Sequence, residues 1–168
     1  DISDNLVYRE GGGILIEGAS PRIKNNLIIN NRSILRGPGV TSCGGGGMRV
    51  GFQSGARPVI EGNLFAYNQA HYGGALVSFH APVIFRNNVV WRNSGGTDFG
   101  GAGLWIWNNG SLATTLVENN TIIANSTTNT GGGLSVSNSE IDIHNNIIRG
   151  NSGTPAQIWV IGAQGTTI

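Results

Sequence analysis

An asparagine returns in the same short context five times along the chain, and no other feature restricts the fold so strongly. The segments are PRIKNNLIINN, PVIEGNLFAYN, VIFRNNVVWRN, TLVENNTIIAN and IDIHNNIIRGN. Aligning them gives an anchor column of Asn26, Asn63, Asn88, Asn120 and Asn146, with Gly62 replacing the preceding Asn once. Five residues later stands another Asn each time: Asn31, Asn68, Asn93, Asn125 and Asn151. Apolar residues fill the position three before the anchor (Ile23, Ile60, Phe85, Val117, Ile143). They also fill the position two after it (Ile28, Phe65, Val90, Ile122, Ile148). A Gly cluster precedes each segment and opens an alternating stretch: GGGILI, GGGMRV, GGALVS, GAGLWI and GGGLSV. Its apolar columns are Ile14, Met48, Leu76, Leu104, Leu134 and Ile16, Val50, Ser78, Ile106, Val136.

Alternation with period two is a strand signal, and Gly and Asn mark the turns between strands. The anchors lie 37, 25, 32 and 26 residues apart. A coil of about 25 residues holding short strands suits a β-solenoid, with the longer intervals carrying loops that bulge from the coil. Each column then stacks on itself at the ~4.8 Å strand spacing. Aliphatic columns fill the core, while the Asn columns sit at corners, pass amide hydrogen bonds from coil to coil and tolerate left-handed backbone there. Lys24, Glu61, Arg86, Glu118 and His144 form an outward column of alternating sign, as adjacent parallel strands prefer. Its expected role is a surface ion-pair ladder.

The motif GG[GA]-h-x-h followed by N-x-h-x-x-N resembles the right-handed parallel β-helix repeats of the pectate-lyase-like superfamily. It is most similar to the repeats of secreted or surface bacterial proteins, over Ile2 to about Ile161. The resemblance implies an all-β, right-handed parallel β-helix of about five full coils with partial coils at both ends. It also implies an extracellular or cell-surface setting and, commonly, polysaccharide as ligand. It leaves activity open, because the same coils serve lyases, hydrolases and adhesins. At the start, Ile2, Asn5 and Val7 match the core, anchor and core positions of an earlier coil; at the end, PAQIWVIGAQGTTI matches strands of a further one. Residues 1–168 are therefore expected to be a single β-helix domain, a segment of a longer solenoid or one that assembles end to end with neighbouring subunits into a head-to-tail oligomer or filament.

Residues for catalysis are sparse. The carboxylates Asp98, Glu140 and Asp142 are the candidates: Asp98 stands in a loop without an evident partner, while Glu140 and Asp142 share one side of a strand. The equivalents of Asp142 in other coils are Arg22, Val59, Ile84 and Leu116, so no column gathers the carboxylates that Ca2+ coordination needs. The expected state is without metal or cofactor, with Ca2+ as the one ion to consider. His71, His80 and His144 show no ligand spacing, and a Cys43–His71 nucleophile pair lacks an orienting third group.

The outward positions are unusually apolar. Beside the Gly-block core columns run Leu15, Arg49, Val77, Trp105, Ser135 and Glu17, Gly51, Phe79, Trp107, Ser137. Val77, Phe79, Trp105 and Trp107 would form one patch, with Arg49 beside it. A second set holds Leu27, Leu64, Val89, Ile147 with Ile29, Ala66, Trp91 and Ile123. Patches of this kind mark partner surfaces, unless a loop such as 32–47 covers them. Aromatic faces also suit the apolar faces of sugar rings. A net charge of +1 gives no electrostatic reason to expect nucleic acid, and no apolar run approaches the ~20 residues of a membrane-inserted helix. The sequence thus points to a non-catalytic surface module that binds polysaccharide or its own kind, the alternative being a polysaccharide lyase or glycoside hydrolase.

Overall fold

The computed structural model describes residues 1–35, 42–51, 56–96, 98–155, 157–163 and 165–168, with backbone alone at 109–112. All strand pairings are parallel, and no helix occurs among these residues. One sheet stacks six short strands in chain order: Ile2–Ser3, Leu27–Ile29, Leu64–Ala66, Val89–Trp91, Thr121–Ile123 and Ile147–Arg149. A second stack holds the Gly-block strands Ile14–Glu17, Met48–Gly51 and Leu76–Phe79, continued by the first parts of Leu104–Glu118 and Leu134–His144 and by Ile158–Ile161. A third face holds Arg22–Lys24, Val59–Glu61 and Ile84–Arg86, continued by the last parts of the same two long strands. The chain is thus a parallel β-solenoid of about five turns.

Sequence columns and structural columns coincide through the repeat. Met48, Leu76, Leu104 and Leu134 pair in register, as do Ile60, Phe85, Val117 and Ile143, and Phe65, Val90, Ile122 and Ile148. Their side chains converge on one continuous core, in which Phe65 and Phe85 meet at 5.7 Å between ring centroids. Ser78 keeps its place in an aliphatic column because its hydroxyl donates to the carbonyl of Ala81 at 2.6 Å, so burial leaves no polar group stranded.

Both Asn columns are continuous ladders. Asn88 is typical: its backbone N–H donates to Asn120 Oδ1 at 2.9 Å, its Nδ2 to the same oxygen at 3.2 Å, and its Nδ2 also to Ile60 O at 2.9 Å. Each amide thus binds one coil forward through its oxygen partner and one coil back through a carbonyl. The other ladder runs from Asn5 through Asn31, Asn68, Asn93, Asn125 and Asn151 to Gln157, whose longer side chain supplies the last acceptor at 2.9 Å from Asn151 Nδ2.

Three expectations need correction. The ladder Asn residues do not supply the left-handed turns. Those fall on the residue before each: Asn25, Gly62, Asn87, Asn119 and Asn145 at one corner, Asp4, Asn30, Tyr67, Arg92, Ala124 and Gly150 at the other. The turn must lie outside the stack, because a residue whose amide and side chain both bind the next coil is held in place by that coil. The first residues are also shifted by one ladder. Ile2 pairs with Ile28, Asn5 joins Asn31 and Val7 pairs with Ser33. Both columns share the spacing h-x-x-N, so three residues alone do not distinguish them. Lastly, the interval of 32 residues between Asn88 and Asn120 is not lengthened by loop alone: part of it extends strand Leu104–Glu118, which absorbs register shifts between Trp107 and Thr115.

The charge column is the ladder expected. Glu61 receives Arg22, Lys24 and Arg86, and Glu118 receives Arg86 and His144. Hydrogen bonds from Arg22 and then Arg86 hold the Glu61 carboxyl at about 2, against an ordinary 4.5.

Candidate functional site: an aromatic cleft on the Gly-block face

The outward side of the Gly-block strands carries the most differentiated chemistry of the molecule. Trp105 pairs in register with Val77 and Ser135, and Trp107 with Phe79 and Ser137. Phe79 and Trp107 stack with centroids 4.9 Å apart and planes 9° from parallel; Trp105 and Trp107 stack at 5.9 Å and 23°. Phe79 and Trp107 meet face to face because stacked parallel strands project equivalent side chains in one direction, and Trp105 joins them because residues two apart on one strand share a face. Trp159 lies two coils beyond Trp105, with the small Ser135 in the coil between them.

Above this floor stands a wall that the repeat does not predict. Tyr72 occupies a column between Gly44 and Gly100. The missing side chain at Gly44 lets the Tyr72 ring lie along the solenoid axis: a Cβ there would come within 2.3 Å of the ring. Its edge meets Trp105 at 4.8 Å and Phe99 at 5.2 Å. Its hydroxyl reaches past Gly44 to donate to Glu10 Oε1 at 2.8 Å, while Gly44 N donates to Glu10 Oε2 at 2.8 Å. Arg49 completes this end: it is ion-paired with Glu10, donates to the Tyr72 hydroxyl oxygen at 3.3 Å and lies over the Phe79 ring at 5.4 Å. Burial, reinforced by the neighbouring Glu10 carboxylate, pushes the Tyr72 phenol up to about 12, so it is a donor at any ordinary pH. Floor, wall and polar end enclose a cleft of about 400 Å3, which Ser42 and Ser137 also line.

The expected patch is therefore a cleft rather than an open plane. Phe79, Trp105 and Trp107 line it. Val77 packs beneath Tyr72 and Trp105 with no exposed surface, and Arg49 is only 3% exposed, because Tyr72 and Glu10 close over them. Trp91 lies on the other sheet, with the Tyr67 ring edge at 5.0 Å and the Arg92 guanidinium over it at 5.0 Å. Of the loop at 32–47, positions 36–41 lie outside the described residues, and Ser42 reaches the cleft. Glu10, Tyr72, Phe99 and Trp159 escaped the sequence reading. The one available signal was Tyr72 standing where its neighbours in the column carry Gly.

The candidate catalytic residues are dispersed. Asp98 does have a partner: its Oδ2 lies 3.3 Å from His71 Nδ1, and Asn129 Nδ2 holds the Asp98 backbone carbonyl at 2.7 Å. Glu140 accepts from the Thr114 hydroxyl at 2.8 Å. Asp142 sits in the ladder between Leu116 and Thr167. Cys43 neighbours His71 in space, yet it is fully buried and its thiol donates to Ser33 O at 3.3 Å. Burial raises its pKa, which keeps it a thiol and not a nucleophilic thiolate. Among the described residues no three His, Cys, Asp or Glu side chains converge on a point that could hold a metal.

A family model described as "Right handed beta helix region" matches residues 1–168. No curated protein and no solved structure gives a significant match to the chain.

Proposed function

From the premise that the chain belongs to the right-handed β-helix family, a scaffold on which many unrelated activities are built, we propose that it is a non-catalytic extracellular module that binds polysaccharide through the aromatic cleft. The observation that carries this is the stacked floor of Phe79, Trp105 and Trp107 beneath the Tyr72 wall. Such a surface offers flat apolar area for the C–H faces of a pyranose ring, and the hydroxyl and carboxylate groups at one end offer hydrogen bonds that fix its orientation. Affinity electrophoresis and calorimetry against a panel of polysaccharides test it. Wild type should bind at least one polymer, and Trp107→Ala should weaken that binding about tenfold, the loss expected of a central aromatic contact. Absence of binding to every polymer, or equal binding by Trp107→Ala, overturns the assignment. Polymer breakdown that is lost on replacing Glu10, Asp98, Glu140 or Asp142 would overturn the non-catalytic part and favour the lyase or hydrolase alternative.

A second surface supports self-association. On the six-stranded sheet Leu27, Val89 and Ile147 share an outward column and are 47%, 40% and 57% exposed. Lateral pairing through this stripe would appear as concentration-dependent sedimentation that Val89→Lys abolishes.

A further inference from the structure

We infer that the cleft selects uncharged sugar residues and rejects uronic acids; the inference rests on the saccharide-binding assignment above and names its substrate class. Among the described residues the charged groups lining the cleft are Glu10 and Arg49. They are not equally accessible. The Arg49 side chain is 3% exposed, with the Phe79 ring on one face and Glu10 paired to it, whereas the Glu10 side chain is 18% exposed. A ligand entering over the tryptophans therefore meets the carboxylate edge first and finds the guanidinium covered and neutralised.

The chemistry of that end follows from its donors and acceptors. Tyr72, Gly44 and Arg49 all donate to the two Glu10 oxygens, so the carboxylate keeps acceptor capacity for a sugar hydroxyl while its charge is balanced by Arg49. A uronate in the same position would lose hydration, meet acceptor oxygens it cannot donate to and gain no exposed cation, which costs binding rather than adding to it. A cationic amino sugar gains little either, because the pair as a whole is neutral. The remaining polar lining, Ser42 and Ser137, is uncharged and suited to hydroxyl groups. The aromatic floor contributes equally to any pyranose with an apolar face. Discrimination therefore lies at the Glu10 end.

The decisive comparison uses polymers that differ in charge. Wild-type protein is titrated by calorimetry and tryptophan fluorescence with neutral polymers (a β-glucan, a mannan, a xylan, methyl-esterified polygalacturonate) and acidic ones (polygalacturonate, alginate), at low and high salt. The expected result is binding to at least one neutral polymer, about tenfold or more tighter than to either acidic one, with little dependence on salt. Glu10→Gln, which keeps the shape but leaves the Arg49 charge unbalanced, should raise the affinity for polygalacturonate. Equal or tighter binding of acidic polymers by wild type overturns the charge selectivity while leaving saccharide binding intact. A steep loss of neutral-polymer binding with salt, or a folded Glu10→Gln with unchanged preference, also overturns it. Failure of every polymer to bind removes the saccharide assignment itself.

Discussion

The inward and outward faces of the strands at 76–79 and 104–107 differ in how far each coil resembles the next. Inward, Leu76 and Leu104 repeat one chemistry, flanked by Asn ladders in which successive members hand the same pair of N–H bonds to the next coil. Outward, a single column reads Leu15, Arg49, Val77, Trp105, Ser135 and Trp159, with no two neighbours alike. A solenoid must solve its interior compatibly in each coil, because each layer is both floor and ceiling for its neighbours. The exterior is released from that demand. Its columns therefore vary from coil to coil, at the cleft and on the six-stranded sheet alike, where one column reads Ile29, Ala66, Trp91, Ile123 and Arg149.

Breaking the interior should have the largest effect. Asn93, fully buried, donates to Asn125 Oδ1, Phe65 O and Trp91 O, and it accepts from Asn68. Asn93→Leu should lower unfolding free energy by about 3 kcal/mol or more, since it strands several buried groups at once. Urea denaturation measures this directly. Gly44→Ala probes the border between the two faces. Its Cβ would collide with Tyr72, so the wall must shift; a stability loss of about 1–3 kcal/mol, the range for overpacking, should accompany loss of polymer binding. On the exterior proper, Trp107→Ser, which copies the residue of the next coil, should abolish or strongly weaken binding while the protein still unfolds cooperatively in urea.

The charge ladder should respond least. The Glu61 carboxyl is depressed to about 2, so the ion pairs contribute fully above its ordinary value of 4.5 and are lost as pH falls toward 2. Between those values wild type should lose stability in a component that Glu61→Gln lacks. Thermal melting across this pH range checks the sign; an identical acid profile in the variant would show that the ladder is decorative.

The sequence made the interior legible because repetition is redundant: five copies of h-x-x-N-x-h-x-x-N leave little freedom in register or facing. Where the copies ran out, at Ile2, Asn5 and Val7, the register slipped by one ladder. The left-handed positions of Tyr67 and Arg92 were illegible for a related reason. Stacking imposes that backbone on whatever side chain occupies the column, against its own preference. The cleft was half legible. Phe79, Trp105 and Trp107 follow from strand alternation, but Tyr72 and Glu10 meet only because a glycine lies between them two coils apart, a contact without any local signature. The His71–Asp98 contact was hidden likewise, since it joins turns 27 residues apart.

The Asn ladders have a direction. From Asn26 to Asn120 and from Asn5 to Asn151, each backbone N–H and side-chain amide donates to the side-chain oxygen of the following coil, while the second N–H of the amides from Asn31 and Asn63 onward reaches back to a carbonyl. Aligned dipoles polarise one another, so the two rows act as parallel electrical spines running the length of the rod. A coil can be duplicated or excised as a whole turn without disturbing them, but it cannot be inserted backwards. Rod length is thereby open to change in steps of one turn, while polarity is fixed.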